Sequence, residues 1–259
     1  MSETKANVAR PKKEDEPEKV TTEEATLVES TADSELATPW TTGRSADIEE
    51  SDLILPRLQI VAKVGPLSEV NAPCTILLDG EARLTDPSAD PPRVDPVSLT
   101  VLAWNKSYVE HIDYNANGDR KVPEVLYTEQ EVYDRKGTLD WADDGEGGKL
   151  RPTWNRTLNL QLLVEKPDSM EDTAHFPFEF DGKLYALACW TVTRSAYTRA
   201  AKKFFTAFHH QLKKNNAGGT FRLTTHVADI AGNKVVVPEV RYGPRNTEEF
   251  LKWVEEMRP

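Results

Sequence analysis

The sequence predicts a mainly β fold with some helix, either a β-barrel or an α+β domain. Three observations carry this. Short β-rich runs recur between turn clusters from Leu53 onward. A single long amphipathic helix follows the most apolar of those runs. The first fifty residues show neither pattern.

That opening segment holds 13 acidic and 6 basic residues, 13 − 6 = 7 excess negative charges, and Trp40 is its one aromatic. Such a composition buries too little apolar surface to offset the entropy of ordering, so residues 1–51 are expected to be a disordered acidic arm. Residues 52–259 are expected to form one domain. The chain of 259 residues carries a net charge of −11, and −7 of it lies in the arm. The remainder is therefore near neutral, which excludes a surface that is basic all over but not a local basic groove.

The elements follow in order. "RLQIVAKV" and "VSLTVLAW" read as strands bounded by turn chemistry such as "DPSADPP". "TLNLQLLV" alternates, with Leu158, Leu160, Leu162 and Val164 on one face. "HFPFEF" alternates through Phe176, Phe178 and Phe180, and "KLYALACWTV" is strongly apolar. "TFRLTTHV" places Phe221, Leu223, Thr225 and Val227 together. "KVVVPEV" is expected to end at a sheet edge because Pro238 donates no ladder hydrogen bond. Helices are predicted over residues 195–214, closed by "NNAGG", and over "NTEEFLKWVEEM", with Asn246 as N-cap and Glu249 completing a capping-box-like start. No internal repeat is visible.

"DYNANGDRKVPE", residues 113–124, fits a calcium-loop pattern of D-x-N-x-N-G followed five residues later by Glu. Its context opposes that reading. A strand precedes it, Arg120 and Lys121 lie inside it, and there is no second loop to pair with. Asn, Asp and Gly118 serve equally well as a hairpin connection, so the loop is expected to be inert. "DWADDGEGGK" is expected to be another exposed loop. Cys74 and Cys189 sit in apolar runs and read as small buried hydrophobes, not as a disulfide framework or a zinc site. No apolar run approaches the length of a membrane helix and no signal peptide is evident, so a cytoplasmic protein is expected.

The helix at 195–214 carries the sharpest functional signal. Tyr197, Ala201, Phe204, Phe205, Phe208 and Leu212 fall within an arc of about 100°. Arg199, Lys202, Lys203, His210, Lys213 and Lys214 oppose them. From Gly182 to Ala228 the chain contains no acidic residue, yet it contains Lys183, Arg194, Arg199, Lys202, Lys203, Lys213, Lys214 and Arg222. In a chain with excess acid this points to phosphate contact, whereas the plain alternative is a solvated basic helix face. Single strands are held by cations plus aromatic platforms, and "AWNKSY" and "RPTWNRT" set Trp104, Tyr108 and Trp154 among polar residues as candidates for exposure and stacking. Trp190, in the most apolar strand, reads as core. HExxH, GxxxxGK[ST] and GxSxG are all missing, and the five histidines show no metal-ligand spacing, so neither an enzyme nor a cofactor is expected.

"LILPRLQIVAKVGPLSE", "VDPVSLTVLAWNKSYVEHI" and "ALACWTVTRSAYTRAAKKFFTAFHH" resemble segments of tailed-bacteriophage single-stranded DNA-binding proteins, over about residues 52–245. The resemblance implies an OB-like barrel in the cytoplasm of an infected bacterium, acting in replication or recombination. Arg194, Arg199, Lys202, Lys203, Lys213, Lys214 and Arg222 would contact phosphate, and Trp104, Tyr108 and Trp154 would stack bases. Members of that family commonly carry an acidic tail at the C-terminus, whereas here the acidic arm is N-terminal. The arm is the expected contact for phage or host replication and recombination proteins, and homo-oligomerisation is left open. The competing reading is a protein–protein module, a virion component or a host-defence inhibitor, whose basic helix meets an acidic partner. A nuclease or other metal enzyme ranks third.

A chain beginning at Ser51 is predicted to melt like the full chain. It should bind single-stranded DNA as tightly or more tightly, since −7 of competing charge is gone. Weaker binding, measured by a polarisation titration, would contradict this.

Overall fold

Leu158, Leu160, Leu162 and Val164 are fully buried, and they set the orientation of an antiparallel sheet. The computed structural model describes residues 54–112, 122–212, 215–230 and 232–257. The chain divides into two units, and the second, Gly43–Pro259, contains every described residue. The acidic arm and most of the calcium-like loop lie outside the described residues.

The strands are β1 (Leu58–Ile60), β2 (Ile76–Leu78), β3 (Ala82–Arg83), β4 (Val97–Glu110), β5 (Val125–Leu126), β6 (Ala142–Asp143), β7 (Lys149–Leu150), β8 (Trp154–Glu165), β9 (Phe178–Phe180), β10 (Lys183–Thr193), β11 (Gly219–Ile230) and β12 (Asn233–Arg245). The main sheet has the order β12-β11-β4-β8-β10-β9, with β5 paired to β4. β1-β2-β3 form a small second sheet and β6-β7 a short hairpin. The fold is therefore α+β and mostly antiparallel. Among the described residues the strands make three separate sheets, so no continuous ladder closes the barrel that the sequence led us to expect.

One face of the main sheet is covered by a continuous helical run. It comprises α2 (Arg194–Ala196), a π-helical turn (Tyr197–Ala201) and α3 (Lys202–His210). The predicted helix is thus present but ends at His210, and Lys213 and Lys214 lie outside the described residues. Ala200, Ala201, Phe204, Ala207 and Phe208 are buried against Leu160, Leu162, Trp190, Phe221 and Leu223 of the sheet. Ile76, Leu78 and Leu84 from around the small sheet complete the same core. Trp190 is core, as its apolar strand indicated.

β4 departs from simple alternation. Leu99 lies opposite Val164 and Val101 opposite Leu162, but after a bulge at Leu102 it is Trp104 that lies opposite Leu160 and Tyr108 opposite Arg156. The helix-facing positions change from odd to even numbers, because β4 takes in one extra residue at the bulge.

α1 (Glu129–Asp134) is an element the sequence reading did not predict. Thr128 caps it in a full capping box with Glu131. Its Val132 joins Leu126, Leu139, Tyr108 and Trp154 in a second core. This overturns two expectations, since Tyr108 is 2% and Trp154 5% exposed. Both face the same side as the long helix, but α1 and the following turn cover them. The packing is close, because a Cβ on Gly137 would lie 2.5 Å from Trp154 Cδ1.

The C-terminal helix, α4 (Glu248–Met257), also forms, but Thr247 is its cap, accepting from Phe250 N at 3.2 Å. Asn246 turns inward to donate to Ala217 O at 2.7 Å. β12 is an edge strand, as Pro238 indicated, but it runs on to Arg245. Cys74 and Cys189 are free, half-buried thiols, not fully buried ones. No described helix is long and apolar enough to cross a membrane.

Trp154→Ala is predicted to destabilise the protein by about 3–5 kcal/mol, as for other buried Trp truncations, measured by urea unfolding. A loss below about 1 kcal/mol would place Trp154 on the surface instead.

Candidate nucleic-acid interface

The β4 bulge delivers Trp104 to the edge of the helix-covered core. There the indole stacks on Phe208, with ring centroids 5.7 Å apart and planes within 4°. Phe205 meets it edge-on at 5.5 Å. The indole N–H donates to Asn216 Oδ1 at 3.3 Å. Yet Trp104 remains 41% exposed. Phe208, Phe205 and Asn216 together hold the ring while part of it stays open to solvent. The ring is held in place before any ligand arrives.

Cations flank it. Lys202 lies three residues before Phe205 and His209 four residues after it, so both neighbour it on the regular helix. Arg199, Lys202 and Lys203 are exposed. Arg194 is exposed as well and opens the helix with a left-handed φ of 55°. Arg194, Arg199 and Lys202 make no side-chain hydrogen bond or ion pair with any described residue. Lys203 is close enough to Glu239 to help hold that carboxylate below its usual range, after the larger effect of Arg241.

Lys106 follows Trp104 on the same face, with its ammonium 4.9 Å from the Tyr108 ring centroid. Partial burial opposes its charge, but hydrogen bonding to Tyr108 and the nearby Tyr197 and Glu129 more than offset this and hold its pKa above the usual value. Beyond it, Arg156 grips Asp140 with two bonds of 2.8 and 3.1 Å. That pairing pushes the Asp140 carboxyl below its ordinary range. Glu129 accepts from Tyr133 at 2.7 Å and from Tyr108 at 3.4 Å. This network is satisfied internally, and it anchors α1 over Tyr108 and Trp154.

The structure thus divides the ten residues named from sequence. Trp104, Arg194, Arg199, Lys202 and Lys203 share the long-helix side. Tyr108 and Trp154 are buried. Arg222 alternates with Phe221 and Leu223 and therefore emerges on the opposite face of the sheet. Lys213 and Lys214 lie outside the described residues. The sequence reading missed Phe205 as a neighbour of Trp104 and Asn216 as its hydrogen-bond partner. Only the wide separation of Trp104 and Asn216 in the chain hid that bond, since the "NNAGG" segment had been marked as a helix stop.

At the calcium-like loop, Glu124 pairs with Arg135. Its backbone N–H also donates to the Glu110 carboxylate at 3.3 Å. Among the described residues no group of three or more His, Cys, Asp or Glu is placed to hold a metal. Comparison with protein-family models, with curated proteins and with solved structures gives no match.

Proposed function

We propose that this chain binds single-stranded DNA as a non-enzymatic component of a phage replication or recombination module. The observation that carries the reading is Trp104. It is a seated, partly exposed indole on the side of the long helix, whose Arg194, Arg199 and Lys202 make no ion pair with a described residue. An aromatic platform next to a cationic track is what single strands require, because every base has a stackable face and every linkage a charge. Trp104 would stack a base, and Arg194, Arg199, Lys202 and Lys203 would follow the phosphates. Lys213 and Lys214, next along the chain, would extend that track.

An OB-like arrangement has partial support from two links between the sheets. Cys189 N donates to Pro56 O at 2.8 Å, and Thr225 Oγ1 donates to Cys74 O at 2.6 Å. They tie the segments around the small sheet to β10 on one side and to β11 on the other. A protein–protein module remains the second reading. It draws on the exposed Tyr127, Tyr133, Trp141 and Leu150, all in the segment around α1.

Salt dependence separates the two. Replacing both Lys202 and Lys203 with Ala should weaken binding to single strands of any sequence and lower the salt slope by roughly 0.7 per charge. The fold should survive, since both side chains point away from the core and Ala favours helix. Trp104→Ala should instead cost about 1–3 kcal/mol with little change of slope. Wild-type affinity in the double lysine variant would make the helix a solvated surface and move the protein–protein reading to first place.

A further inference from the structure

The face of the sheet opposite the long helix carries a cleft of about 280 Å³. Its floor is Leu163 with Ser98 and Thr100, and its walls come from Phe180, Tyr185 and Phe250. Most polar groups there are already satisfied. Lys183 pairs with Glu165 at 2.5 Å. Arg245 donates to Gln211 O at 3.1 Å, Thr220 donates to Pro244 O at 3.1 Å, and Thr247 caps α4.

Four groups are left over, one of them the Asp181 carboxylate, which makes no ion pair with a described residue. Arg222 makes no side-chain hydrogen bond or ion pair with a described residue, and the Ser98 hydroxyl has no described partner either. Tyr185 is only 7% exposed as a residue, but its hydroxyl lines the cleft and makes no hydrogen bond with a described residue, which leaves it available there. Burial, with Glu165 and Asp181 nearby, raises the Tyr185 pKa to about 12, so at neutral pH the phenol keeps its proton and can donate.

Charge narrows the ligand. Arg222, Arg245 and Lys183 face Glu165 and Asp181 around the cleft, which leaves one net positive charge, 3 − 2 = 1. A monoanion matches this better than a dianion. The volume falls just below the range of about 300–1,000 Å³ typical of pockets for drug-sized ligands. It therefore suits one compact unit and not an extended chain.

We infer that this cleft is a second nucleic-acid contact, which takes a single phosphodiester-linked nucleotide with its phosphate on Arg222 and polar atoms of the unit on Tyr185 and Ser98. The inference rests on the nucleic-acid reading above but uses none of the helix-face residues. It also gives Arg222 a role, although the fold separates it from the other cations.

The probe is the dinucleotide dTpT, titrated calorimetrically into the full chain. It has one phosphodiester charge and is too short to follow the helix track. Saturable binding is expected, weakened about tenfold or more by Arg222→Ala and about three- to tenfold by Tyr185→Phe. The latter variant removes one oxygen and leaves the aromatic packing in place. The double Lys202→Ala, Lys203→Ala variant should bind dTpT like wild type. Absence of dTpT binding, or binding indifferent to Arg222→Ala, would overturn the inference even if a long oligothymidylate still bound through the helix. Tighter binding of free thymidine monophosphate, a dianion, would overturn the assignment to a linked nucleotide. If dTpT binding depends on Arg222 while a long strand ignores the lysine pair, it is the helix-face reading that fails.

Discussion

The bulge at Leu102 is the constraint on which the rest of the molecule depends. Before it, Val97, Leu99 and Val101 of β4 feed the main core. After it, Trp104, Lys106 and Tyr108 occupy the same face. Without that extra residue in β4, the side chain facing Leu160 would be Ala103 and the indole would lie on the other side of the sheet. Bulges re-aim side chains in this way. Everything assigned to the long-helix side follows from it: the Trp104–Phe208 stack, the Lys106–Tyr108 contact and the second core around Trp154.

Much of the framework was legible in the sequence. Alternation at Leu158–Val164 and at Phe221 and Leu223 marked the inward positions of β8 and β11, because a period of two leaves little freedom when one face is buried. The helix was legible from Phe204, Phe208 and their opposing lysines. Other features needed distant partners. Trp154 stands among Arg, Pro, Thr and Asn, and nothing local shows that Val132 and Leu139 will cover it. Two signals were present and went unread. Thr128 with Glu131 is a capping box, and it announces α1. The adjacent apolar pair Val101–Leu102 marks the point where the β4 pattern changes phase.

The cations teach a related lesson. Seven of them looked like one patch because they cluster in sequence within an acid-free window. A strand and a helix distribute neighbours differently. The helix gathers Arg199, Lys202 and Lys203 on one exposed side, while the alternation of β11 sends Arg222 through to the other face of the sheet. Sequence proximity therefore overstated a single site and hid a second surface. That surface lies where α4 meets the sheet, through contacts of Phe250 and Trp253 with Phe180 and Tyr185.

The central claim is that Trp104 is a pre-seated stacking platform while Trp154 and Trp190 are core. Indole N–H signals in a ¹H–¹⁵N spectrum, assigned by substitution and followed during titration with oligothymidylate, test it directly. The account predicts that the Trp104 signal shifts and saturates with the ligand, because its exposed part and its bond to Asn216 both sense the stacked base, while the Trp154 and Trp190 signals hold still. A Trp104 signal that stays fixed while the strand is bound would contradict it.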